Sequence, residues 1–166
     1  DKDVDGFQAY NLGKMFLSQE FEKLVPCTPS GIIKILEYYK ISVAGKNVTI
    51  VGRSNIVGKP LAVMLINRDA TVTVCHSKTR NLTDYTKRAD ILVAAVGRPN
   101  FIKAAMVKTG AIVIDVGVNK VDGKLVGDVD FKAVAKKASF ISPVPGGIGP
   151  MTVACLMENV IKTFNI

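Results

Sequence analysis

The sequence predicts an α/β fold built on a doubly wound, mostly parallel sheet with flanking helices. Three observations support this prediction. Five short runs rich in Val, Ile and Ala alternate with helical or turn-forming segments, which is the succession that parallel βαβ units produce. The runs are continuously apolar rather than alternating, as expected for strands covered on both faces. A glycine turn follows the first run and leads straight into a helix, so the sheet is predicted to be Rossmann-like.

The predicted strands cover residues 47–51, 71–75, 91–95, 111–116 and 139–142, and the connecting segments are helical at 59–68, 82–88, 104–108 and 130–137. Glycines or turn residues follow four of the strand ends, at Gly52, Ser77, Gly97 and Gly117. In open α/β sheets, ligands bind outside the carboxyl ends of the strands. These four positions therefore mark the predicted binding edge.

Two further helices flank the predicted sheet. Residues 29–40 form one of them, because Thr28 can cap it and Pro29 suits a first helical position. Its core-facing positions recur at helical spacing at Ile32, Ile35, Leu36 and Tyr39. The last helix covers about residues 150–164 and carries an apolar stripe of Met151, Ala154, Cys155, Met157, Val160 and Ile161. Such a stripe is typical of core packing, and this one is also wide enough to reach a second domain.

Composition narrows the class of partner. The 166 residues suit one domain, and the three widely spaced cysteines indicate reduced thiols in a cytoplasmic compartment. A net charge of +8 favours anionic ligands. The basic residues are scattered, without interleaved aromatic residues, so we expect a phosphate-bearing small molecule and no nucleic acid. Residues 138–157 lack charge, but six Pro and Gly residues interrupt them, which predicts strand, loop and helix start and no membrane span.

The turn at residues 52–60 departs from the usual dinucleotide fingerprint. Where G-x-G-x-x-G requires glycines, the chain has Gly52, Ser54 and Val57, and the next glycine is Gly58. The strand, turn and helix context nevertheless predicts a phosphate site, because backbone N–H groups and a positive helix end converge there.

The end of the second predicted strand favours NADP over NAD. An NAD site usually places Asp or Glu there to bind the ribose hydroxyls, whereas this chain has Ser77, Lys78 and Arg80, with Arg53 in the first turn. These groups suit a ribose 2′-phosphate. Alternatively, Lys78 and Arg80 are ordinary solvated loop charges, and then Arg53 and Ser77 alone support the prediction.

Three other patterns have two readings. Asp1-x-Asp3-x-Asp5-Gly6 matches the opening of an EF-hand loop, but the twelfth position is Leu12 and residues 11–16 look helical, so no calcium is expected. Asp5 could instead bind adjacent N–H donors of an aminopyrimidine-type ring.

His76, the only histidine, is predicted to be structural or next to phosphate, and no metal site is expected. The loop at 143–150 either borders a flat ligand or simply connects strand and helix.

Taken together, the motifs resemble the methylenetetrahydrofolate dehydrogenase/cyclohydrolase family. The matching stretches are KDVDG (2–6), PCTPSG (26–31), GRSNIVGKP (52–60), ATVTVCHS (70–77), DVGVN (115–119), GDVDF (127–131) and PVPGGIGPMT (143–152). The resemblance implies NADP-dependent oxidation of methylene-tetrahydrofolate, hydrolysis of the methenyl product, and a homodimer formed through the cofactor domain. It also implies residue roles: Gly52, Arg53, Ser54, Ser77 and Val118 contact NADP, Asp5 holds the pterin ring, and Pro145, Gly146 and Gly147 border the folate.

The family pattern also includes a preceding domain with a Tyr and a catalytic Lys in a Tyr-x-x-x-Lys motif, which this sequence does not match. Tyr10 and Lys14 have that spacing but follow KDVDG, so the role is not carried over to them. We expect an inter-domain segment at 1–28, an NADP-binding domain at 29–149 and a helix at 150–166 that packs toward the preceding domain. No catalytic residue is expected in this chain, and alone it should be inactive. Two alternatives remain: a non-catalytic NADP-binding or regulatory module, and an NAD-preferring member of the family.

Overall fold

The fold is a five-stranded parallel sheet with helices on both faces. A computed structural model describes residues 3–164. The sheet contains β1 (Asn47–Val51), β2 (Thr71–Cys75), β3 (Ile91–Ala94), β4 (Ile112–Asp115) and β7 (Phe140–Ile141). Its strand order is β2-β1-β3-β4-β7, and every pairing is parallel. The predicted fold class is confirmed.

Within residues 3–164, six α-helices connect and cover the strands: α1 (Ala9–Leu17), α2 (Cys27–Tyr38), α3 (Gly58–Ile66), α4 (Leu82–Thr86), α5 (Phe131–Val134) and α6 (Ile148–Phe164). The first two strands have the predicted bounds. β3 is one residue shorter at its end, and β4 and β7 are one residue shorter at each end. The predicted segment at 104–108 is a short 3-10 turn, Ala104–Met106. Residues 138–157 form a strand, a loop and the start of α6, as predicted, and no helix in the described part of the chain is long and apolar enough to cross a membrane.

A short antiparallel hairpin, β5 (Asn119–Val121) and β6 (Lys124–Val126), was not predicted. Its strands are mostly exposed, so they carry no apolar pattern that sequence reasoning could detect. The turn does carry a signal, because Asp122 and Gly123 both have positive φ, at 48° and 76°. Asp-Gly is a preferred pair for a two-residue hairpin turn.

The start of α2 differs from the prediction. The helix begins at Cys27 rather than Pro29, and the extended residue before it is Pro26. The Thr28 hydroxyl does not cap the helix; it forms a 3.1 Å hydrogen bond with the Thr152 hydroxyl of α6. Thr28 therefore binds a side chain of a distant helix instead of the backbone N–H groups of its own helix. At the other end of the chain, α6 begins at Ile148, two residues before the predicted start.

Two apolar clusters cover the two faces of the sheet. One cluster joins Val48 and Ile50 of β1 to buried residues of α1, α2, α3 and α6. The other joins Val51 and the alternate residues of β3 and β4 to Ile102, Val129 and α5. Because successive side chains on a strand point to opposite faces, both faces need apolar residues. This explains the continuous apolar runs in the sequence.

Strand order also decides where a ligand can bind. The connection from β1 leads through α3 to β2 on one side, while the chain then crosses back to β3 on the other side of β1. This reversal is a topological switch point, which opens a crevice at the carboxyl ends of the strands. The crevice lies between the ends of β1 and β3.

Candidate functional site

A cavity of about 280 Å³ opens at the switch point, and we call it the cofactor cavity. It is lined by the ends of β1, β2 and β3 and the loops after them: Val51, Gly52, Arg53, His76, Ser77, Leu82, Ala95, Val96, Arg98 and Phe101. The structure thus brings together three of the predicted cofactor residues, Gly52, Arg53 and Ser77.

The first turn requires glycine for two reasons. Gly52 has φ of +131°, a region that L side chains rarely adopt, and a Cβ there would collide with the Ala95 carbonyl. Gly58, the first residue of α3, lies so close to the Gly52 carbonyl that a Cβ would not fit there either. The unusual glycine spacing is therefore explained: Gly58 allows the close approach of helix and strand, and Val57 precedes the helix.

Free backbone donors lie in the turn itself. The N–H groups of residues 53–56 donate no hydrogen bond to any residue that the structure describes. The start of α3 is different, because Ser54 Oγ accepts from the N–H groups of Val57 (3.1 Å) and Gly58 (3.4 Å). The N–H groups without a described partner are therefore those of the turn, whereas Ser54 satisfies the two N–H groups where α3 begins. A contact between Ser54 and the cofactor stays a prediction.

The charge at the cavity is positive. Arg53 is exposed, and no carboxylate among residues 3–164 lies within ion-pair distance of it. The chain after β2 turns sharply, because His76 N donates to Thr79 Oγ1 (2.9 Å) and Lys78 N donates to His76 Nδ1 (3.2 Å). His76 thus has a structural role beside the cavity, as one reading proposed. Lys78 is exposed and does not line the cavity, which fits a solvated loop charge.

A second arginine lines the cofactor cavity, and the sequence reasoning missed it. The Arg98 guanidinium lies over the Phe101 ring, 4.8 Å from its centroid. Both residues belong to the loop after β3, whose only sequence signal was the glycine at Gly97. The cation–π contact holds the guanidinium at the cavity wall.

The loop after β3 is held by a buried carboxylate that was also missed. Asp128 is fully buried and accepts hydrogen bonds from three successive backbone N–H groups, those of Val96 (2.6 Å), Gly97 (2.9 Å) and Arg98 (2.8 Å). Asn119 Nδ2 is a fourth donor, at 2.9 Å. Asp128 therefore fixes one wall of the cofactor cavity without lining it.

A second buried carboxylate supports the first. Asp115, at the end of β4, accepts from the N–H groups of Gly117 (3.0 Å), Asp128 (2.9 Å) and Val129 (2.9 Å). Burial raises the pKa of Asp115, the Asp128 charge adds to the increase, and the three N–H donors oppose it. The motifs DVGVN and GDVDF thus contain a paired carboxylate network that orders two loops on the binding edge.

A second cavity of about 210 Å³ opens on the same edge, at the ends of β4 and β7. It is lined by Val118, by Leu125 of the hairpin and by residues 143–150, including Pro145, Gly146 and Gly147. The predicted folate-bordering residues therefore meet Val118, which was predicted to contact the cofactor. Apolar side chains and exposed backbone dominate this cavity, as a flat ring ligand requires.

Asp5 lies apart from both cavities. Its side chain is exposed and accepts no hydrogen bond from a described residue. Asp3, two residues earlier, is engaged: it accepts from the N–H groups of Phe7 (3.0 Å) and Gln8 (2.8 Å) and from Asn11 Nδ2 (2.8 Å). Burial alone would raise the pKa of Asp3, but these hydrogen bonds outweigh it and lower the pKa.

The EF-hand-like spacing therefore has a local explanation at the start of α1. Asp3 accepts hydrogen bonds from backbone N–H groups just ahead of that helix. Asp1 lies outside the described residues, and within residues 3–164 no group of three or more His, Cys, Asp and Glu side chains is placed to hold a metal ion.

Comparison with known families identifies the domain to which these two cavities belong. A profile described as the tetrahydrofolate dehydrogenase/cyclohydrolase NAD(P)-binding domain matches residues 26–166. The chain belongs to this tetrahydrofolate dehydrogenase/cyclohydrolase family. The cofactor cavity, with its glycine turn and free amides, is thus part of the NAD(P)-binding domain of the family.

Relatives in the tetrahydrofolate dehydrogenase/cyclohydrolase family are close in sequence and structure. The bifunctional protein FolD of Campylobacter curvus is 61% identical over 163 residues, which are 98% of this chain and 56% of that protein. The crystal structure of the bifunctional FolD enzyme from Campylobacter jejuni superposes with a TM-score of 0.95 at 52% identity, over 99% of this chain and 58% of that one. The Trypanosoma brucei enzyme, complexed with NADP cofactor and inhibitor, has a TM-score of 0.93 at 40% identity, over 99% and 58% of the two chains. This chain therefore spans a little more than half the length of these relatives.

Proposed function

We propose that the full-length protein oxidises methylene-tetrahydrofolate by hydride transfer to NADP and hydrolyses the methenyl product to formyl-tetrahydrofolate. This chain would supply the cofactor domain. The observation that carries the proposal is the pair of cavities on one sheet edge, with the cationic turn at Gly52 and Arg53 in one and the loop at Pro145 and Gly146 in the other. The name of the Campylobacter jejuni relative includes both activities.

Each cavity suits one part of the chemistry. NADP supplies a hydride acceptor when it is bound. The free N–H groups of residues 53–56 suit its phosphates, and the Arg53 guanidinium and the Ser77 hydroxyl suit a ribose 2′-phosphate. The Pro145–Gly147 stretch would border the folate, and the exposed carboxylate of Asp5 would accept N–H donors from the pterin ring.

The catalytic Lys is proposed to come from another part of the full-length protein. We therefore expect the isolated chain to bind NADP but to oxidise methylene-tetrahydrofolate at least about 100-fold more slowly than the full-length protein, because general acid/base groups contribute about 10²–10⁴-fold in rate. Initial rates of NADP reduction by the two proteins measure this difference. Equal turnover by the isolated chain would show that no missing group is needed.

The alternative function, a non-catalytic NADP-binding or regulatory module, predicts that the protein does not bind folate. A pure sensor needs neither a free Asp5 carboxylate nor the second cavity. Titration of a folate analogue into the full-length protein with NADP present separates the two functions. Saturable folate binding supports the enzyme, and NADP binding without any folate binding supports the sensor.

NADP preference is proposed to depend on Arg53, and the NAD-preferring alternative depends on the same residue. For Arg53→Ala we expect the Kd for NADP to rise about 10- to 100-fold with the Kd for NAD nearly unchanged, because a charge-assisted contact to phosphate is worth about 1.5–3 kcal/mol. Calorimetric titration with both cofactors gives the ratio. Lys78→Ala is the matched control, since that cation lies outside the cofactor cavity, and it should change the ratio less than about threefold. An unchanged NADP-to-NAD ratio in Arg53→Ala would refute the proposed 2′-phosphate contact.

The proposed domain boundaries rest on exposed apolar residues. Along α6, Val153, Met157 and Ile161 recur every four residues and are 61%, 58% and 62% exposed. Phe16 and Leu17, at the end of α1, are 72% and 70% exposed. We propose that residues 1–28 and the helix at 150–166 pack against the preceding domain, and that residues 29–149 form the cofactor domain.

We further propose a cytoplasmic homodimer formed through the cofactor domain. The three cysteines of the chain are unpaired and buried, which suits a reducing compartment. Exposed aromatic residues cluster beside the edge strand β7, where Tyr39 lies 5.1 Å from Tyr38 and 6.3 Å from Phe140 between ring centroids. Such a cluster next to an open strand edge is a surface that association would bury.

A further inference from the structure

We propose that Asn159 is a positioning residue for folate binding: its side-chain amide holds the backbone at Val4 and so presents the neighbouring Asp5 carboxylate to the substrate. This inference rests on the proposed role of Asp5 in pterin recognition. It concerns a residue in the middle of α6, far along the chain from Asp5, that neither the sequence motifs nor the cavities indicated.

The Asn159 amide joins two backbone carbonyls that lie far apart along the chain. Asn159 is 3% exposed, and its Nδ2 donates to the carbonyls of Val4 (2.8 Å) and Val25 (3.1 Å). No backbone N–H of residues 3–164 donates to either carbonyl. Because an unpaired buried carbonyl is costly, the two hydrogens of one amide group have a specific task here. They tie residues 3–6 and the segment before α2 to α6.

Cys27 makes a further contact with the Val4 carbonyl and with the Asn159 amide. Its Sγ lies 3.8 Å from the Val4 carbonyl, to which the thiol donates, and 3.7 Å from Asn159 Nδ2. Burial raises the pKa of the Cys27 thiol, and the nearby Asp5 charge adds to the increase. The thiol is therefore protonated at neutral pH and keeps the hydrogen that it donates to Val4.

Residues 3–6, which we call the Asp5 turn, are held on their other side by packing and by local hydrogen bonds. Gly6 has φ of +70°, and its Cα faces the backbone of Val25 so closely that a Cβ would not fit. The Asp3 carboxylate binds the N–H groups of Phe7 and Gln8 on the far side of the turn. Asp5 is thus the exposed residue of a turn that is fixed on both sides, while its own carboxylate accepts no hydrogen bond from residues 3–164.

Asn159 also connects the two proposed folate contacts. The loop at 143–150 leads directly into α6, which begins at Ile148 and runs 17 residues without interruption. Asn159 lies on this same helix, three turns later. One helix therefore carries the glycine-rich loop at one end and holds the Asp5 turn in its middle, which sets the distance between the two contacts.

The test uses the full-length protein with Asn159→Leu and Asn159→Asp, which keep the side-chain size but remove the N–H donors. We expect the KM for methylene-tetrahydrofolate to rise about tenfold, with the KM for NADP changed less than about twofold. Cys155→Ala is the control on the same helix, one turn earlier. It removes buried volume but none of the hydrogen bonds that hold the Val4 carbonyl, so it should lower the Tm and leave both KM values unchanged.

A double variant separates positioning from folding. If Asn159 acts through Asp5, adding Asn159→Asp to Asp5→Ala should raise the folate KM no further than Asp5→Ala alone. Amide exchange of residues 6–8 should also become faster in Asn159→Asp, and this measurement on the native protein remains informative where Asn159→Leu fails to fold.

Two results would overturn the inference in distinguishable ways. If Asp5→Ala raises the folate KM but the Asn159 variants do not, or if their effects are additive, Asn159 does not position Asp5 and the proposed function stands. If Asp5→Ala itself leaves the folate KM unchanged, the proposed role of Asp5 fails, and the inference about Asn159 fails with it.

Discussion

Asp128→Asn is expected to lower the free energy of unfolding by about 3 kcal/mol, because each unpaired buried donor costs about 1–3 kcal/mol. Each carboxylate oxygen of Asp128 now accepts two N–H donors. An amide of the same shape keeps one oxygen and turns an NH2 group toward the donors that faced the other. Urea denaturation of wild type and variant measures the difference.

The same substitution should weaken NADP binding, since Val96 and Arg98 of the released loop line the cofactor cavity. Asp130→Asn is the matched control, two residues away. Among residues 3–164, the Asp130 side chain forms only an exposed ion pair with Lys103, at 3.4 Å, and its loss should cost less than about 1 kcal/mol. Equal costs for the two substitutions would contradict the assignment of Asp128 as the residue that orders the loop.

Gly52→Ala has the second large expected effect, a loss of about 3 kcal/mol in the free energy of unfolding together with the loss of measurable NADP binding. Backbone conformations reserved for glycine cost other residues about 1–3 kcal/mol. The new Cβ would also collide with the Ala95 carbonyl, and the β1 and β3 ends that it would push apart are the ones between which the cofactor cavity opens.

Gly45→Ala separates backbone strain from collision. Gly45 also has positive φ, at +70°, but a Cβ there meets nothing within 4 Å, so only the strain of about 1–2 kcal/mol remains. Thermal unfolding and NADP titration of both variants give the comparison. A Gly52→Ala protein as stable as Gly45→Ala, with NADP affinity intact, would show that the turn tolerates a side chain.

Much of the fold could be predicted because its signals are local. Continuous apolar runs mark strands such as β1 and β3 whether or not their partners are known, since both faces of each strand are covered. The β5–β6 hairpin was not predicted, because its short strands are mostly exposed and carry no apolar pattern. The start of α2 was misplaced because Thr28 has a partner in α6, far along the sequence.

The candidate site also contains residues that could be predicted from local signals and residues that could not. Gly52, Arg53 and Ser77 could be predicted because a strand end and its turn carry their own chemistry, and they do line one cavity. Arg98 was missed because nothing in its neighbours indicated that the loop after β3 would fold back toward Arg53. The cofactor contact of Ser54 stays a prediction, and the structure adds that its hydroxyl oxygen accepts from the N–H groups of Val57 and Gly58, where α3 begins.

The sequence by itself determined the succession of strands and helices and the position of the glycine turn after β1, because periodicity and turn chemistry act between near neighbours. Only the tertiary structure decided which donors the buried carboxylates bind. Asp3 binds the amides of nearby residues, whereas Asp115 and Asp128 bind the amides of other segments of the chain. The physical reason is that a carboxylate binds whichever donors are nearest in space. For Asp128 those donors lie 30–32 residues away along the chain, a separation that no local pattern encodes.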